Sequence, residues 1–153
     1  MKQKHPEKLK EEIRYKYIYD VSISYGCGWW WTLTDLAIKY RIPLGTLKRW
    51  SSEEGWYEKQ QKHLSKLREV DMIVCKIIEK EIGEWNLLSW EIEASIMDYL
   101  TQNRIIAKWV EGEDTEDYER IITLVKRAIT PAKKKIEKCR EEIRNVVMGA
   151  LEK

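Results

Sequence analysis

The chain has no phenylalanine, only three prolines and two histidines among its 153 residues, an odd number of cysteines, and no long uncharged run. Each shortage excludes something. A membrane-crossing helix needs about 20 predominantly apolar residues, and the best candidate, residues 72–78, is interrupted by Lys76. No membrane partner is expected. Residues 1–14 are rich in Lys and Glu and lack the apolar stretch of a signal peptide, so the expected location is a cytoplasm. Cys27, Cys75 and Cys139 lie far apart, without the close pairs that a zinc site or a disulfide framework uses. They read as reduced structural thiols, and neither a metal nor a cofactor is expected. His5 and His63 have no nucleophile or second ligand near them in sequence and are expected on the surface. No Gly-rich segment runs into Lys and Ser/Thr, so a phosphate-binding loop of the NTPase kind is missing, and no catalytic residue can be named.

What is present is charge and tryptophan. Charged residues make up 35% of the chain, and there are eight Trp and eight Tyr, which is too apolar for wholesale disorder. The net charge of +2 looks uninformative, but a sum hides asymmetry. Over residues 1–68 there are 14 Lys plus Arg against 8 Asp plus Glu, a net +6; over 69–153 there are 14 against 18, a net −4. A basic N-terminal module joined to a mildly acidic C-terminal one is the simplest interpretation.

Apolar residues recur at helical spacing almost throughout, and no period-two run is evident, so the expected fold is all-α. Leu9, Ile13, Tyr17 and Val21 make a first amphipathic helix, expected to end near Gly26 and Gly28. Thr32 followed by Asp35 is an N-cap pair, with Trp31 and Leu36 at the positions of a hydrophobic staple, so a helix should start at Leu33. Pro43 stops it at Tyr40 or Arg41 and opens another helix reaching Trp50 or Ser51. After Gly55 a long helical stretch follows, with Gly83 as a kink or break. A second segment spans residues 82–110, and a third starts at a cap on Asp114 or Thr115. Pro131 should break or kink that third segment before a last helix carrying Ile136, Cys139 or Arg140, Ile143, Val147 and Leu151 on one side.

Residues 33–52 have the pattern of a helix-turn-helix. Two short helices crossing at a fixed angle need apolar residues at set positions and a small residue at their closest approach. Leu36, Tyr40, Ile42, Leu47 and Trp50 fill the former role and Ala37 the latter. Arg41 stands where glycine is frequent in the turn. On this register Leu44, Gly45, Thr46, Lys48 and Arg49 lie at the start or on the outer side of the second helix, the part that enters a major groove. Lys48 and Arg49 can donate to guanine or phosphate, Thr46 and the first-turn amides suit phosphate, and Leu44 can touch a thymine methyl. Lys39 and Arg41, with Lys2, Lys4, Lys8 and Lys10, are candidates for further phosphate contacts. Double-stranded DNA is the expected partner.

Leu33, Leu36, Ala37, Tyr40, Ile42, Pro43, Thr46, Leu47, Trp50, Gly55 and Trp56 together resemble the N-terminal DNA-binding domain of phage terminase small subunits. The resemblance covers residues 7–62, and the run Gly26 to Trp31 lies outside its pattern. It implies a non-catalytic subunit that recognises viral DNA where packaging begins and regulates the large subunit carrying the ATPase and nuclease. It also implies a homo-oligomeric ring, in a host cell's cytoplasm.

The expected organisation is a helix-turn-helix domain at 1–60, a long-helix oligomerisation domain at 61–130, and a C-terminal helix at 131–153 for assembly or partner contact. Trp85, Leu88, Trp90, Ile92, Ile96, Leu100 and Trp109 exceed what one helical hairpin needs for its own core; either a neighbouring copy covers some of them or they form one intramolecular core. Trp29 and Trp30 pose the same choice between exposure and a buried loop plug. Competing functions are a dimeric phage or mobile-element transcription regulator and a purely structural helical assembly protein.

Overall fold

A computed structural model describes residues 6–24 and 27–152. The chain divides into two compact units, Met1–Met72 with Met97–Glu116, and Ile73–Ile96 with Asp117–Lys153. The described residues form seven helices and one two-stranded sheet, so the fold is mostly α but not all-α. No helix among them is long and apolar enough to cross a membrane.

The first helix, α1 (Glu7–Tyr19), is shorter than its four-residue spacing predicts. Val21, counted into that spacing, instead opens β1 (Val21–Ser24), which pairs antiparallel with β2 (Cys27–Trp30); Val21 faces Trp30 and Ser24 faces Cys27. The sequence reason is visible afterwards: Val-Ser-Ile-Ser alternates β-branched apolar with polar residues, and Val21 and Ile23 are buried while Ser22 is exposed. Four residues are too few for the alternation to stand out against a helical period. His5, Lys2 and Lys4 lie outside the described residues.

Next, α2 (Leu33–Tyr40) begins as its cap residues dictate. The Asp35 amide donates to Thr32 Oγ1 at 3.1 Å, and the Thr32 amide donates to Asp35 Oδ2 at 3.3 Å, a reciprocal capping box. Arg41 terminates α2 in the left-handed region, at φ 54° and ψ 45°. Then α3 (Leu44–Glu54) runs past the expected end at Trp50 or Ser51, through the Ser-Ser-Glu-Glu segment, and stops only at Gly55, φ 64°. Trp56 starts α4 (Trp56–Ile82) without a linker.

In the first unit, Ile13, Tyr17, Ile18 and Tyr19 of α1 pack with Leu36, Ile42, Leu47, Trp50 and Trp56 in one buried cluster. The long-range polar contacts of this unit secure the same elements. Gln60, on α4, is buried and donates to the Tyr17 carbonyl at 2.9 Å. Arg14 Nη2 lies 2.9 Å from Glu111 Oε1, and the Lys10 ammonium 2.9 Å from Glu54 Oε2.

The helix expected over 82–110 is two. Gly83 (φ 93°) ends α4, and Asn86 caps α5 (Leu87–Gln102) by accepting from the Ser89 amide at 3.1 Å. At its far end two side chains compete for backbone partners: Thr101 Oγ1 donates to the Met97 carbonyl and Asn103 Nδ2 to the Tyr99 carbonyl. Arg104 then turns left-handed (φ 56°), and α6 (Ile105–Val110) sends Ala107 into the first unit's cluster. The last helix, α7 (Tyr118–Leu151), is capped by Asp117, which accepts from the Arg120 amide at 3.1 Å, rather than by Asp114 or Thr115. It runs unbroken through Pro131, so of the break or kink expected there the break does not occur. The Pro131 ring is exposed, so its bulk is accommodated on the solvent side of the helix, where the amide it lacks would have met the Arg127 carbonyl. The second unit's buried apolar residues come from α4 (Val74, Ile78), α5 (Ile92, Ile96) and α7 (Ile121, Val125, Ile129, Ala132).

His63 is buried, not on the surface, with its ring edge-on to Tyr19 at 4.9 Å. Burial lowers its pKa to about 4, only partly opposed by a backbone hydrogen bond at Ile18. In the unfolded chain the imidazole binds a proton below about pH 6.5. The neutral, buried form therefore favours folding fully above pH 6.5, and that contribution is lost as pH falls toward 4. The loss is on the order of 3 kcal/mol, measurable as a fall in denaturant midpoint across this window that His63→Gln flattens. Thr32→Ala removes one half of the capping box and should lower stability by about 1 kcal/mol, read by the same unfolding assay.

Candidate nucleic-acid interface

The two helices that carry the candidate interface are held from behind. Leu36 of α2, Ile42 of the turn and Leu47 and Trp50 of α3 are each less than a tenth exposed, and Trp31 and Ala37 pack against the same cluster. The α2 and α3 elements contact each other across the Arg41–Pro43 turn, where the Ile42 amide donates to the Ala37 carbonyl at 3.1 Å. With the apolar positions turned into the core, the polar positions between them must face out.

Lys48 and Arg49 are both exposed, next to buried Leu47 and Trp50. Gly45 is exposed, and a Cβ built on it would meet nothing within 4 Å. Packing therefore does not require a glycine here, and the backbone is open to close approach. Leu44 and Thr46 are half-buried. Pro43 caps α3 without a side-chain hydrogen bond, and the first turn of α3 holds no acidic residue. The start of α3 thus presents the positive end of a helix dipole with no carboxylate to offset it.

Lys39 and Arg41 are exposed at the end of α2. None of Lys39, Arg41, Lys48 and Arg49 forms an ion pair among the described residues. Lys10 differs: it is bound to Glu54 and sits over the Trp50 ring at 5.5 Å, so it braces α1 against α3.

The hairpin lies beside these elements through Trp31. The Trp31 Nε1 donates to Asp20 Oδ2 at 2.9 Å, its ring receives the Lys16 and Lys39 ammonium groups at 5.5 and 5.7 Å, and Trp29 meets it edge-on at 5.1 Å. Trp29 and Trp30 remain 52% and 37% exposed, so neither is a buried plug. Nothing in the spacing of Asp20, Gln60 and Trp31 announces these contacts, because each partner comes from a different element. The nearest sequence signal is the run of three tryptophans itself.

Of the residues expected in assembly, Ile92, Ile96, Leu100 and Trp109 are buried within the chain, and Trp85 and Leu88 are half-buried. Trp90 is 42% exposed and meets Trp85 edge-on at 5.5 Å. The three cysteines are free thiols, with Cys27 and Cys139 exposed.

Set against known proteins, the chain matches no protein-family model, no curated protein and no solved structure.

Arg41 combines two properties that one substitution separates. A non-glycine residue in the left-handed region is strained by roughly 1 kcal/mol, and glycine returns part of that gain through its freer unfolded chain. Arg41→Gly should therefore raise the unfolding midpoint slightly; a lower midpoint would mean that the Arg41 side chain stabilises the turn by more than its backbone strain.

Proposed function

We propose that the protein is a non-catalytic, double-stranded-DNA-binding subunit of a viral genome-packaging terminase, with α2 and α3 as a helix-turn-helix and α3 as the docking helix. In this reading several copies, in a ring, present α3 to the viral genome and regulate the large subunit that carries the ATPase and nuclease. The observation that carries it is the outer side of α2–α3, with four exposed cations in no ion pair among the described residues and an uncapped α3 start.

The chemistry suits a phosphate backbone. Lys48 and Arg49 exchange condensed counterions for protein cations, and the first-turn amides of α3 point at an oxyanion. Leu44, Gly45, Thr46 and Arg49 offer the short reach and mixed polarity that groove-edge contacts need. One such module binds duplex DNA at about 10⁻⁴ to 10⁻⁶ M at physiological salt. Useful affinity then comes from linked copies, as the effective concentration of the second contact rises.

A second reading, a dimeric transcription regulator reading two half-sites about one helical turn apart, is favoured by one observation. Ile143, Val146, Val147 and Leu151, near the end of α7, are exposed, an apolar surface that a second copy in a dimer would cover.

Replacing Lys48 and Arg49 together by alanine should weaken binding to duplex DNA about tenfold or more and reduce the salt slope by about one unit per cation. Fluorescence anisotropy at several salt concentrations reads both. Unchanged affinity and slope would remove α3 from the interface and favour a protein-binding role for these helices.

A further inference from the structure

The β1–β2 hairpin holds its two tryptophans differently. Successive side chains of a strand point to opposite faces. Trp30 pairs with Val21 and Gly28 with Ile23, so both lie on the face whose β1 residues are buried. A Cβ built on Gly28 would meet Ile23 Cδ1 at 2.8 Å and Trp30 Cζ3 at 2.9 Å, so the Trp30 ring is laid across Gly28 on that inner face. Trp29 pairs with exposed Ser22 and belongs to the outer face, which leaves it the more exposed of the two.

The surroundings of Trp29 are aromatic and cationic. Its edge-on contact with Trp31 takes at most one face of the Trp29 indole. The Trp31 ring in turn carries the Lys16 and Lys39 ammonium groups, and Lys39 also lies over the Tyr40 ring at 5.8 Å. Asp20 accepts from the Trp31 indole and pairs with Lys16 at 3.6 Å, whereas Lys39 has no carboxylate partner among the described residues. Arg41 follows Lys39 by two residues, in the turn that leads into α3, so this strip runs on into the exposed cations of the candidate interface.

We infer that Trp29 is a stacking platform for an unpaired nucleobase, and that the DNA this module takes is duplex interrupted by a single-stranded stretch. Every base has a π-face, but inside a continuous duplex the neighbouring pairs cover it; only an unpaired stretch offers one to an indole. Rings interleaved with cations suit a single strand, the rings meeting bases and the ammonium groups meeting the phosphates between them. An apolar protein surface would instead have to strip water from Lys16 and Lys39. The inference rests on the DNA-binding reading, with α3 taking the duplex and Trp29 the unpaired stretch.

The test is fluorescence anisotropy of the full chain with two probes, a blunt duplex and the same duplex with a thymidine gap in one strand. The wild type should bind the gapped DNA about fivefold tighter or more. Trp29→Ala should abolish that advantage and leave the blunt-duplex affinity unchanged, while Trp29→Tyr, which keeps a stacking face, should retain most of it. Equal wild-type affinity for the two probes, or an advantage that survives Trp29→Ala, would overturn the stacking role, leave the DNA-binding reading in place and open the indole to a protein partner. A Trp29→Ala loss of equal size on both probes would also overturn it, by making the indole a wedge in intact duplex. A chain that binds neither probe would remove the DNA-binding reading and this inference together.

Discussion

The buried Trp56 indole is the constraint on which the first unit depends. It is fully covered, with Tyr17 of α1 at 6.2 Å and Trp50 of α3 at 6.3 Å between ring centroids. Three helices therefore meet on one side chain. Aromatic groups of this size contribute large buried area and a preferred tilted geometry, so they fix angles as well as distances. Once α1, α3 and α4 are set by this contact, the turn at Arg41 has little freedom, and the residues between the buried positions of α3 have only solvent to face. The exposure of Lys48 and Arg49 is a consequence of where Trp50 and Leu47 must go.

Much of this region was legible because its signals are local. Thr32 with Asp35, Pro43, the left-handed position at Arg41 and the apolar positions from Leu36 to Trp50 each act within a few residues, and the structure has them in the expected places. The hairpin was not legible, since four residues of alternation beside two glycines look like the frayed end of a helix. Nor was the burial of His63, whose environment is made by Tyr19, more than forty residues away. Caps separated from their helix by an acidic loop were ambiguous too: Asp114, Thr115 and Asp117 all have the right chemistry, and the start of the apolar stripe at Ile121 decides among them. For the candidate site, the side chains could be named from sequence, but their lack of ion pairs could not, because a partner carboxylate can come from any element.

The near-neutral total charge takes on a different meaning beside these contacts. Acidic residues of the first unit are engaged with cations of the same unit: Glu54 with Lys10, Glu111 with Arg14, Glu116 with Lys66. Among the described residues, Lys39, Arg41, Lys48 and Arg49 of α2 and α3 stay outside these pairs, as do Lys8 on α1 and Lys59, Lys62 and Arg68 on α4. The net charge of the unit therefore emerges at α2 and α3 and along neighbouring helices alike.

Gly55 is the whole of the connection between α3 and α4. A single left-handed residue leaves no slack, and α4 is an unbroken helix of 27 residues, about 40 Å of stiff rod at 1.5 Å per residue. Its first residue is Trp56, clamped in the core, and its length continues past Met72 into the second unit. The helix with the exposed cations is thus one residue away from the clamped indole. A load placed on α3 meets the core of the first unit with no flexible tether between them.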